Sequence, residues 1–153
     1  MGKIEIASPF VTKLLKIEQP IGSVMHALKA SSNGYCGFGE AYFSTVSFQN
    51  TKGWKLHQRM TLNLIVPYGE IRFIVHDGKT QKGLTQIEPL IDVILGESDY
   101  SRLTVPPGYW VAFQGIGLNS NILMNVANIE HDPDEAINQE LNFFDVKGCG
   151  YFE

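Results

Sequence analysis

The sequence lacks the features of disulfide-stabilised, metal-binding and membrane proteins. Its two cysteines, Cys36 and Cys149, form no Cys-x-x-Cys pair and belong to no cluster of histidine and cysteine ligands. The first residues, MGKIEIASPF, contain no long apolar stretch preceded by positive charge, and no apolar run in the chain approaches the length of a membrane span. We therefore expect a reduced, cytoplasmic protein that has no membrane partner.

Strong charge of either sign is also missing. The formal net charge is −4 at pH 7, so the chain has no overall attraction to nucleic acid, although a local basic pocket could still hold a phosphate. We expect no nucleic-acid partner. The 153 residues, of which 44% are hydrophobic, are enough for one domain with a sizeable core and too few to suggest two. The whole chain, 1–153, is predicted to be a single domain.

Long segments of helical period are scarce as well. The chain instead contains short apolar runs separated by glycine and proline, such as GEAYFSTVSF, GEIRFIVHD and YWVAFQGIG, which are typical of an all-β protein. The one predicted helix is short, DPDEAINQEL, with Asp132 as N-cap and Pro133 in the first helical position. Because such strands must bury their apolar faces, we predict a jelly-roll β-barrel or sandwich with one short C-terminal helix.

One predicted strand, GWKLHQRMTLNLIVP, carries a row of polar side chains on one face. Successive side chains of a strand point to opposite faces, so this face either meets water or lines a barrel. Polar and aromatic groups on two other strands favour the lining, because a ligand pocket needs a few polar groups among apolar walls. The row consists of Lys55, His57, Arg59, Thr61 and Asn63. The groups on other strands include Glu40, Tyr42 and Ser44, and Asn121 and Asn125.

His57 is the histidine best suited to acid–base chemistry. Lys55 and Arg59 flank it at alternate positions, and their positive charge favours a neutral imidazole that can accept a proton near neutral pH. A nearby carboxylate such as Glu40 would oppose that effect. The other three histidines are interpreted as structural, capping or surface residues: His26, His76 and His131.

Four segments together resemble a known family. FGEAYFSTV, KGWKLHQRMTLNLIVPYGEIRFIVHDG, YSRLTVPPGYWVAFQG and NVANIEHDPDE are similar to motifs of the cupin family of dTDP-4-dehydrorhamnose 3,5-epimerases and related sugar-nucleotide epimerases and ketoisomerases, especially its shorter epimerase-like branch. The resemblance runs from about Gly39 to Glu135. It implies a jelly-roll cupin, usually a homodimer that exchanges N-terminal strands, acting in the synthesis of deoxysugars for polysaccharide.

The match to the family's catalytic motif is incomplete. The epimerases place a catalytic histidine after an Arg-Gly pair, and the ketoisomerases show two histidines separated by one residue. Here Lys55 stands in the place of the first histidine, and only His57 matches the second. The tyrosine that acts as general acid in the epimerases would be expected between Ile129 and His131, where this chain has none.

The resemblance also bears on metals and cofactors. Metal-binding cupins supply three histidines and a glutamate, and those places hold Lys55, His57, Thr61 or Leu62, and Val111 in this chain. One imidazole cannot hold a transition metal without other ligands, so we predict no bound metal and no cofactor. A metal-dependent cupin enzyme is an alternative that follows from the fold alone.

The resemblance implies proton transfer next to the ketone of a dTDP-linked, or other nucleotide-linked, 4-keto-6-deoxy sugar. A base removes a proton from C3 or C5, the negative charge of the enolate develops on O4, and reprotonation gives the product. His57 is the candidate base, with Lys55 as an alternative base if neighbouring cations and burial favour its neutral amine. Lys55 or Arg59 would stabilise the enolate, and Tyr42 or Tyr109 would donate a proton.

Six residues are candidates for binding the substrate. Two of them would hold the diphosphate, and three asparagines would either hydrogen-bond sugar hydroxyls or serve only as interior polar groups. The candidates are Lys52 and Arg72 for the diphosphate, Asn63, Asn125 and Asn128 for the sugar, and Glu40. A second hypothesis, of a different class, is a cupin that binds a sugar or nucleotide sugar without converting it.

Overall fold

The computed structural model describes residues 5–150, whose regular secondary structure is almost entirely β. Short strands follow one another along the chain, and two single turns of 3-10 helix, Pro133–Glu135 and Leu141–Phe143, lie near its end. The strands are β1 Phe10–Lys13, β2 Lys16–Ile17, β3 Val24–Met25, β4 Glu40–Thr45, β5 Thr51–His57, β6 Leu62–Tyr68, β7 Glu70–His76, β8 Ile91–Gly96, β9 Ser101–Val105, β10 Trp110–Gly115, β11 Ile122–Ala127 and β12 Ala136–Asn138. No helix within residues 5–150 is long and apolar enough to cross a membrane.

Ten strands form two antiparallel sheets that pack as a sandwich. The first sheet has the strand order β1-β9-β6-β11-β4, and the second has the order β12-β5-β10-β7-β8. Strands β2 and β3 form a separate hairpin. The chain passes between the sheets at several points, and β5 and β6, which are consecutive, lie in different sheets. The predicted all-β fold class is confirmed.

The main core lies between the sheets, and its pattern follows from strand periodicity. Alternate residues of β6 and β7 point inward, because successive side chains of a strand face opposite sides. The inward residues of these two strands are Leu62, Leu64, Val66, Ile71, Phe73 and Val75. All six are buried, so the apolar faces that the sequence predicts are the faces that meet in the sandwich.

A second core covers the outer face of the second sheet. Its centre is Trp54, which packs with Ile74 and with residues of the C-terminal segment, defined here as residues 139–149. Trp54 Nε1 donates a hydrogen bond to the carbonyl of Leu141 at 3.0 Å, and Phe144 packs against the cluster. Burial on both faces explains why β7 has consecutive apolar residues rather than strict alternation.

The predicted helix DPDEAINQEL is wrong beyond its first turn. Asp132 does act as N-cap, with its side chain accepting the N–H of Asp134, and Pro133 does open the turn. The turn ends at Glu135, whose buried side chain bonds the backbone after β5. The next residues, Ala136–Asn138, pair with β5 as strand β12.

The long strand predicted over GWKLHQRMTLNLIVP, from Gly53 to Pro67, is also wrong, because it is two strands joined by a turn. Strand β5 ends at His57 and β6 begins at Leu62 in the other sheet. After the turn, Leu62 and Leu64 face the space between the sheets, whereas the side chain of Asn63 bonds the carbonyl of Gly34. The polar row therefore lines the interior only at Lys55 and His57.

Candidate active site

A cavity of about 360 Å³ lies between the two sheets. Its walls are mainly apolar, with a few polar groups contributed by both sheets, which is the composition expected of a ligand pocket. The apolar lining includes Leu62, Leu64, Val111, Phe113 and Leu123. The polar lining consists of Tyr42, Ser44 and Asn125 from the first sheet, and Lys52, Lys55, His57 and Asn138 from the second. The structure thus brings together five of the residues predicted from the sequence: Tyr42, Lys52, Lys55, His57 and Asn125.

His57 is bound to a buried carboxylate. Its Nδ1 hydrogen-bonds Oε1 of Glu135, a residue that is only 3% exposed. The other oxygen, Oε2, accepts the backbone N–H groups of Gln58 at 3.1 Å, Arg59 at 3.0 Å and Met60 at 3.3 Å. Glu135 therefore holds both the imidazole and the turn that follows β5.

The hydrogen bonds at Glu135 keep its carboxyl group ionised. Burial by itself raises the pKa of Glu135, but the hydrogen bonds from His57 and from the backbone of Arg59 and Met60 outweigh it and lower the pKa below its ordinary value. An ionised carboxylate can only accept a hydrogen bond, so Nδ1 of His57 must carry the hydrogen. In the neutral imidazole the lone pair is then on the other ring nitrogen, Nε2, which hydrogen-bonds no residue within 5–150.

Two lysines make the cavity electropositive. Lys55 is half-buried, and its ammonium group forms no hydrogen bond or ion pair with any residue that the structure describes. Lys52 is exposed, and its Nζ donates to the carbonyl of Thr45 at 2.7 Å, which links β5 to β4 of the other sheet. The lining contains no carboxylate to offset these charges, so the cavity favours an anionic ligand.

Tyr42 and Asn125 face each other across neighbouring strands β4 and β11. Asn125 is 2% exposed, and its Nδ2 donates to the Tyr42 hydroxyl oxygen at 3.0 Å. Its Oδ1 accepts the backbone N–H of Asn63 at 3.1 Å. Tyr42 itself is 37% exposed and lines the cavity.

Two residues predicted to be catalytic lie outside this cavity. Arg59 follows β5 and forms an exposed ion pair with Asp132 at 2.8 Å. The hydroxyl of Tyr109 donates to the carbonyl of Ala7 at 2.9 Å. Both residues line a separate outer groove. Arg59 lies there because it belongs to the turn after His57, which leads out of β5.

Two of the predicted asparagines use their side chains in hydrogen bonds within the protein. Asn63 is buried outside the cavity, where its Nδ2 donates to Gly34 and its Oδ1 accepts from Thr104. Asn128 lines the outer groove, and its Oδ1 accepts the N–H of Thr61 at 2.7 Å. Neither side chain is placed to bind a ligand in the cavity.

Arg72 and Glu40 are also absent from the cavity lining. Arg72 forms a two-point ion pair with Asp92, at 2.7 and 2.6 Å, between β7 and β8. Glu40 shares the inward face of β4 with Tyr42 but lies two residues away. Its Oε1 is buried and has no hydrogen-bond partner among the described residues.

Sequence reasoning missed Asn138, which lines the cavity, and Glu135, the partner of His57. The second omission matters more for the chemistry, because Glu135 bonds the candidate base. It lies 78 residues after His57, in a segment that the sequence assigned to the first turn of a helix. An acidic residue near a helix N-terminus is ordinary, so no local signal marked it as the partner of a histidine. Within residues 5–150, no group of three or more histidine, cysteine, aspartate or glutamate side chains is arranged to hold a metal ion.

Comparisons with known proteins identify the architecture. No protein-family model and no curated protein sequence matches this chain. Among solved structures, a dTDP sugar isomerase from Desulfovibrio desulfuricans G20 is similar with a TM-score of 0.79 and 28% identity, over 90% of this chain and 87% of that chain. The sugar 3,4-ketoisomerase QdtA from Thermoanaerobacterium thermosaccharolyticum, solved with TDP, is similar with a TM-score of 0.68 and 15% identity, over 87% and 89%.

A third similar structure is NovW, a 4-keto-6-deoxy sugar epimerase from the novobiocin biosynthetic gene cluster of Streptomyces spheroides. It matches with a TM-score of 0.72 and 13% identity, over 88% of this chain and 70% of that chain. These likenesses confirm the predicted jelly roll and the resemblance that the sequence motifs indicated. The chain has the cupin fold that the dTDP-sugar epimerases and ketoisomerases share.

Proposed function

We propose that this protein is an epimerase or ketoisomerase of a nucleotide-linked 4-keto-6-deoxy sugar. The observation that carries the proposal is the pairing of His57 with a buried, ionised Glu135 at the wall of an electropositive cavity. The likeness to a dTDP sugar isomerase at 28% identity supports the same substrate class. The reaction needs a base, a cation near the developing oxyanion and a proton donor.

His57 is the base of the proposed reaction. Its Nε2 takes the proton from C3 or C5 of the sugar, while Nδ1 keeps its hydrogen bond to Glu135. The carboxylate fixes the tautomer and stabilises the imidazolium that forms, as in other histidine–carboxylate pairs. This arrangement supports His57, rather than Lys55, as the proton acceptor.

Lys55 supplies the cation for the enolate. Its ammonium group is half-buried and unpaired among the described residues, so no protein carboxylate competes with the negative charge on O4. Lys52 is exposed at the edge of the cavity and is suited to the diphosphate of the substrate. Tyr42 is the proton donor, because Tyr109, the other candidate donor, lies in the outer groove. Arg59, the other candidate for the enolate, lies there too.

Hydrogen exchange tests this function directly. Purified protein with dTDP-4-keto-6-deoxyglucose in deuterated buffer is expected to lose the proton NMR signal of C3 or C5, against a no-enzyme control. His57→Asn should slow that exchange by about 10²-fold or more, since it removes the general base. His131→Asn, at an exposed histidine outside the cavity, is the matched control.

The outcomes separate the two hypotheses. Saturable binding without exchange, across dTDP-, UDP-, GDP- and CDP-linked keto sugars, would favour the non-catalytic binding cupin. Lys55 in the first histidine's place and the missing tyrosine near Ile129 motivate that alternative. Exchange that persists in His57→Asn would remove this residue from the base role.

We also propose, from the resemblance, a cytoplasmic homodimer that exchanges N-terminal strands and acts in polysaccharide biosynthesis. Within one chain, β1 pairs with β9 from Phe10 to Lys13 at the edge of the first sheet. If the N-terminal strands are exchanged, β1 of one copy pairs with β9 of the other in the same register. Residues 1–4 lie outside the described residues.

Sedimentation velocity tests the assembly. We expect the full chain to sediment as a dimer at micromolar concentration. Deletion of residues 1–13, which removes β1, should shift the distribution to monomer or aggregate, because it leaves β9 as an unpaired edge. A full chain that stays monomeric over this range would contradict the proposed exchange.

A further inference from the structure

The side-chain amide of Asn125 has one permitted orientation. Its Oδ1 accepts the backbone N–H of Asn63, and a backbone N–H can only donate, so the oxygen must face it. The nitrogen then faces two acceptors, the Tyr42 hydroxyl oxygen at 3.0 Å and the Met60 sulfur at 3.8 Å. Because Asn125 is 2% exposed, a flipped amide would leave a buried donor facing another donor, which is costly.

This orientation decides what the Tyr42 hydroxyl can do. Its oxygen accepts the hydrogen bond from Asn125, so its own hydrogen is not used in that contact. The hydroxyl has no other hydrogen-bond partner among the described residues, and Tyr42 lines the cavity. The phenolic hydrogen is therefore available to an acceptor inside the cavity.

We propose that Asn125 is a positioning residue that fixes Tyr42 as a hydrogen donor to the reacting sugar. The inference rests on the proposed function. In the donation step the O–H bond of Tyr42 breaks, a C–H bond forms at the enolate carbon, and the phenolate keeps the electron pair. The N–H of Asn125 then stabilises that phenolate, and the proton that His57 removed from the sugar returns to it through solvent.

The same geometry removes Asn125 from the role of sugar ligand. Both polar atoms of its side chain are already engaged by Asn63, Tyr42 and Met60. A sugar hydroxyl could bind Asn125 only by breaking one of these contacts in a buried site. Asn125 thus acts on the substrate through Tyr42.

A double-mutant cycle tests the inference. Asn125→Asp keeps an oxygen for the Asn63 N–H but replaces the amide donor with an acceptor, so the Tyr42 hydrogen turns toward the carboxylate. We expect kcat to fall by about 10²-fold with KM within about threefold, since the effect is on proton donation. In a Tyr42→Phe background the same change should lower kcat less than about threefold further.

Equal losses from Asn125→Asp in both backgrounds would overturn the inference, because they would show that Asn125 acts independently of Tyr42. Asn128→Asp is the control that measures how much an asparagine-to-aspartate substitution lowers the stability of the folded protein. The Asn128 oxygen also accepts a backbone N–H, that of Thr61, but it lies outside the cavity. Thermal unfolding of both aspartate variants separates loss of fold from loss of donation.

A second measurement needs no turnover. In ¹H–¹⁵N spectra of the free protein, the side-chain amide of Asn125 is identified by its absence in Asn125→Asp. Tyr42→Phe removes the acceptor and should shift that amide signal; an unchanged signal would overturn the hydrogen bond on which the inference depends. If wild-type protein converts no nucleotide sugar, the proposed function fails, and the amide shift alone decides the orientation of Asn125.

Discussion

At the scale of single residues, the carboxylate of Glu135 sets the chemistry of His57. It accepts from the Nδ1 of His57 with one oxygen and from three backbone N–H groups with the other. Replacing it with an amide would present an N–H₂ group to the imidazole. His57 would then have to accept at Nδ1, and its Nε2 would carry the hydrogen.

Glu135→Gln is therefore expected to remove the base without removing the histidine. The rate of hydrogen exchange at the sugar should fall by about 10²- to 10⁴-fold, since the wrong tautomer faces the cavity. Exchange NMR with the same keto sugar measures this change. Glu130→Gln, at an exposed residue, is the matched control. If Glu135→Gln exchanged the sugar hydrogen at the wild-type rate, the carboxylate would not be what fixes the tautomer of His57.

Single-residue reasoning from the sequence identified part of this site. Lys55 and His57 follow from strand alternation, because both lie on β5 before the chain turns. Glu135 did not follow from it, because its contact with His57 depends on which strands become neighbours. The pairing of Ala136 with His57 between β12 and β5 brings the two together, and side-chain period carries no information about it.

At the scale of elements, the C-terminal segment closes the outer face of the second sheet over a buried histidine. His76 is fully buried, and its ring lies 4.5 Å from that of Trp54 and 4.7 Å from that of Phe144, between centroids. Its Nδ1 accepts the N–H of Gly78. Burial lowers the pKa of His76 from its ordinary 6.5 to about 4, and the opposing effect of Asp77 is smaller.

This histidine is expected to make stability depend on pH. The unfolded chain binds a proton at His76 below about pH 6.5, but the folded protein does so only near pH 4. The stabilisation is therefore fully present above 6.5 and is lost as the pH falls toward 4, by up to about 3 kcal/mol. Urea unfolding at several pH values should show a flatter dependence for His76→Asn than for wild type.

The comparison isolates His76, because the other titrating groups are the same in both proteins. His131→Asn, at an exposed histidine, controls for the loss of an imidazole and should keep the wild-type slope. If His76→Asn and wild type lose stability in parallel between pH 6.5 and 4, the C-terminal segment does not hold a neutral histidine.

Strands marked by a local sequence pattern were predicted well. Elements whose structure depends on pairing with residues distant in the sequence were not. The strands GEIRFIVHD and YWVAFQGIG correspond to β7 and β10, where apolar runs are bounded by glycine or proline. The helix after Asp132 failed because strand pairing with β5 replaces helical hydrogen bonds from Ala136 onward. The turn at Gln58–Thr61 was missed because it contains neither glycine nor proline, and the Glu135 side chain holds it.

At the scale of the whole molecule, the fold class followed from composition and spacing, and its topology did not. Evenly spaced short strands indicated a jelly roll, and the solved epimerases and ketoisomerases confirm that architecture. The epimerase or isomerase role implied by the sequence motifs is supported by the likeness to a dTDP sugar isomerase at 28% identity. Which strands face each other across the cavity depends on long-range pairing, which a single sequence does not encode locally.

The two sheets also divide the proposed chemistry between them. His57 and Lys55 lie on β5, in the sheet that has apolar packing on both faces, whereas Tyr42 lies on β4, at the edge of the other sheet. The distance between proton acceptor and proton donor therefore depends on the spacing of the two sheets, and apolar side chains such as Leu62, Leu64 and Val111 fill the space between them. The stereochemical outcome then depends on the size of the apolar side chains between the sheets. Substitution of these side chains is expected to change the product even when every reactive group is kept.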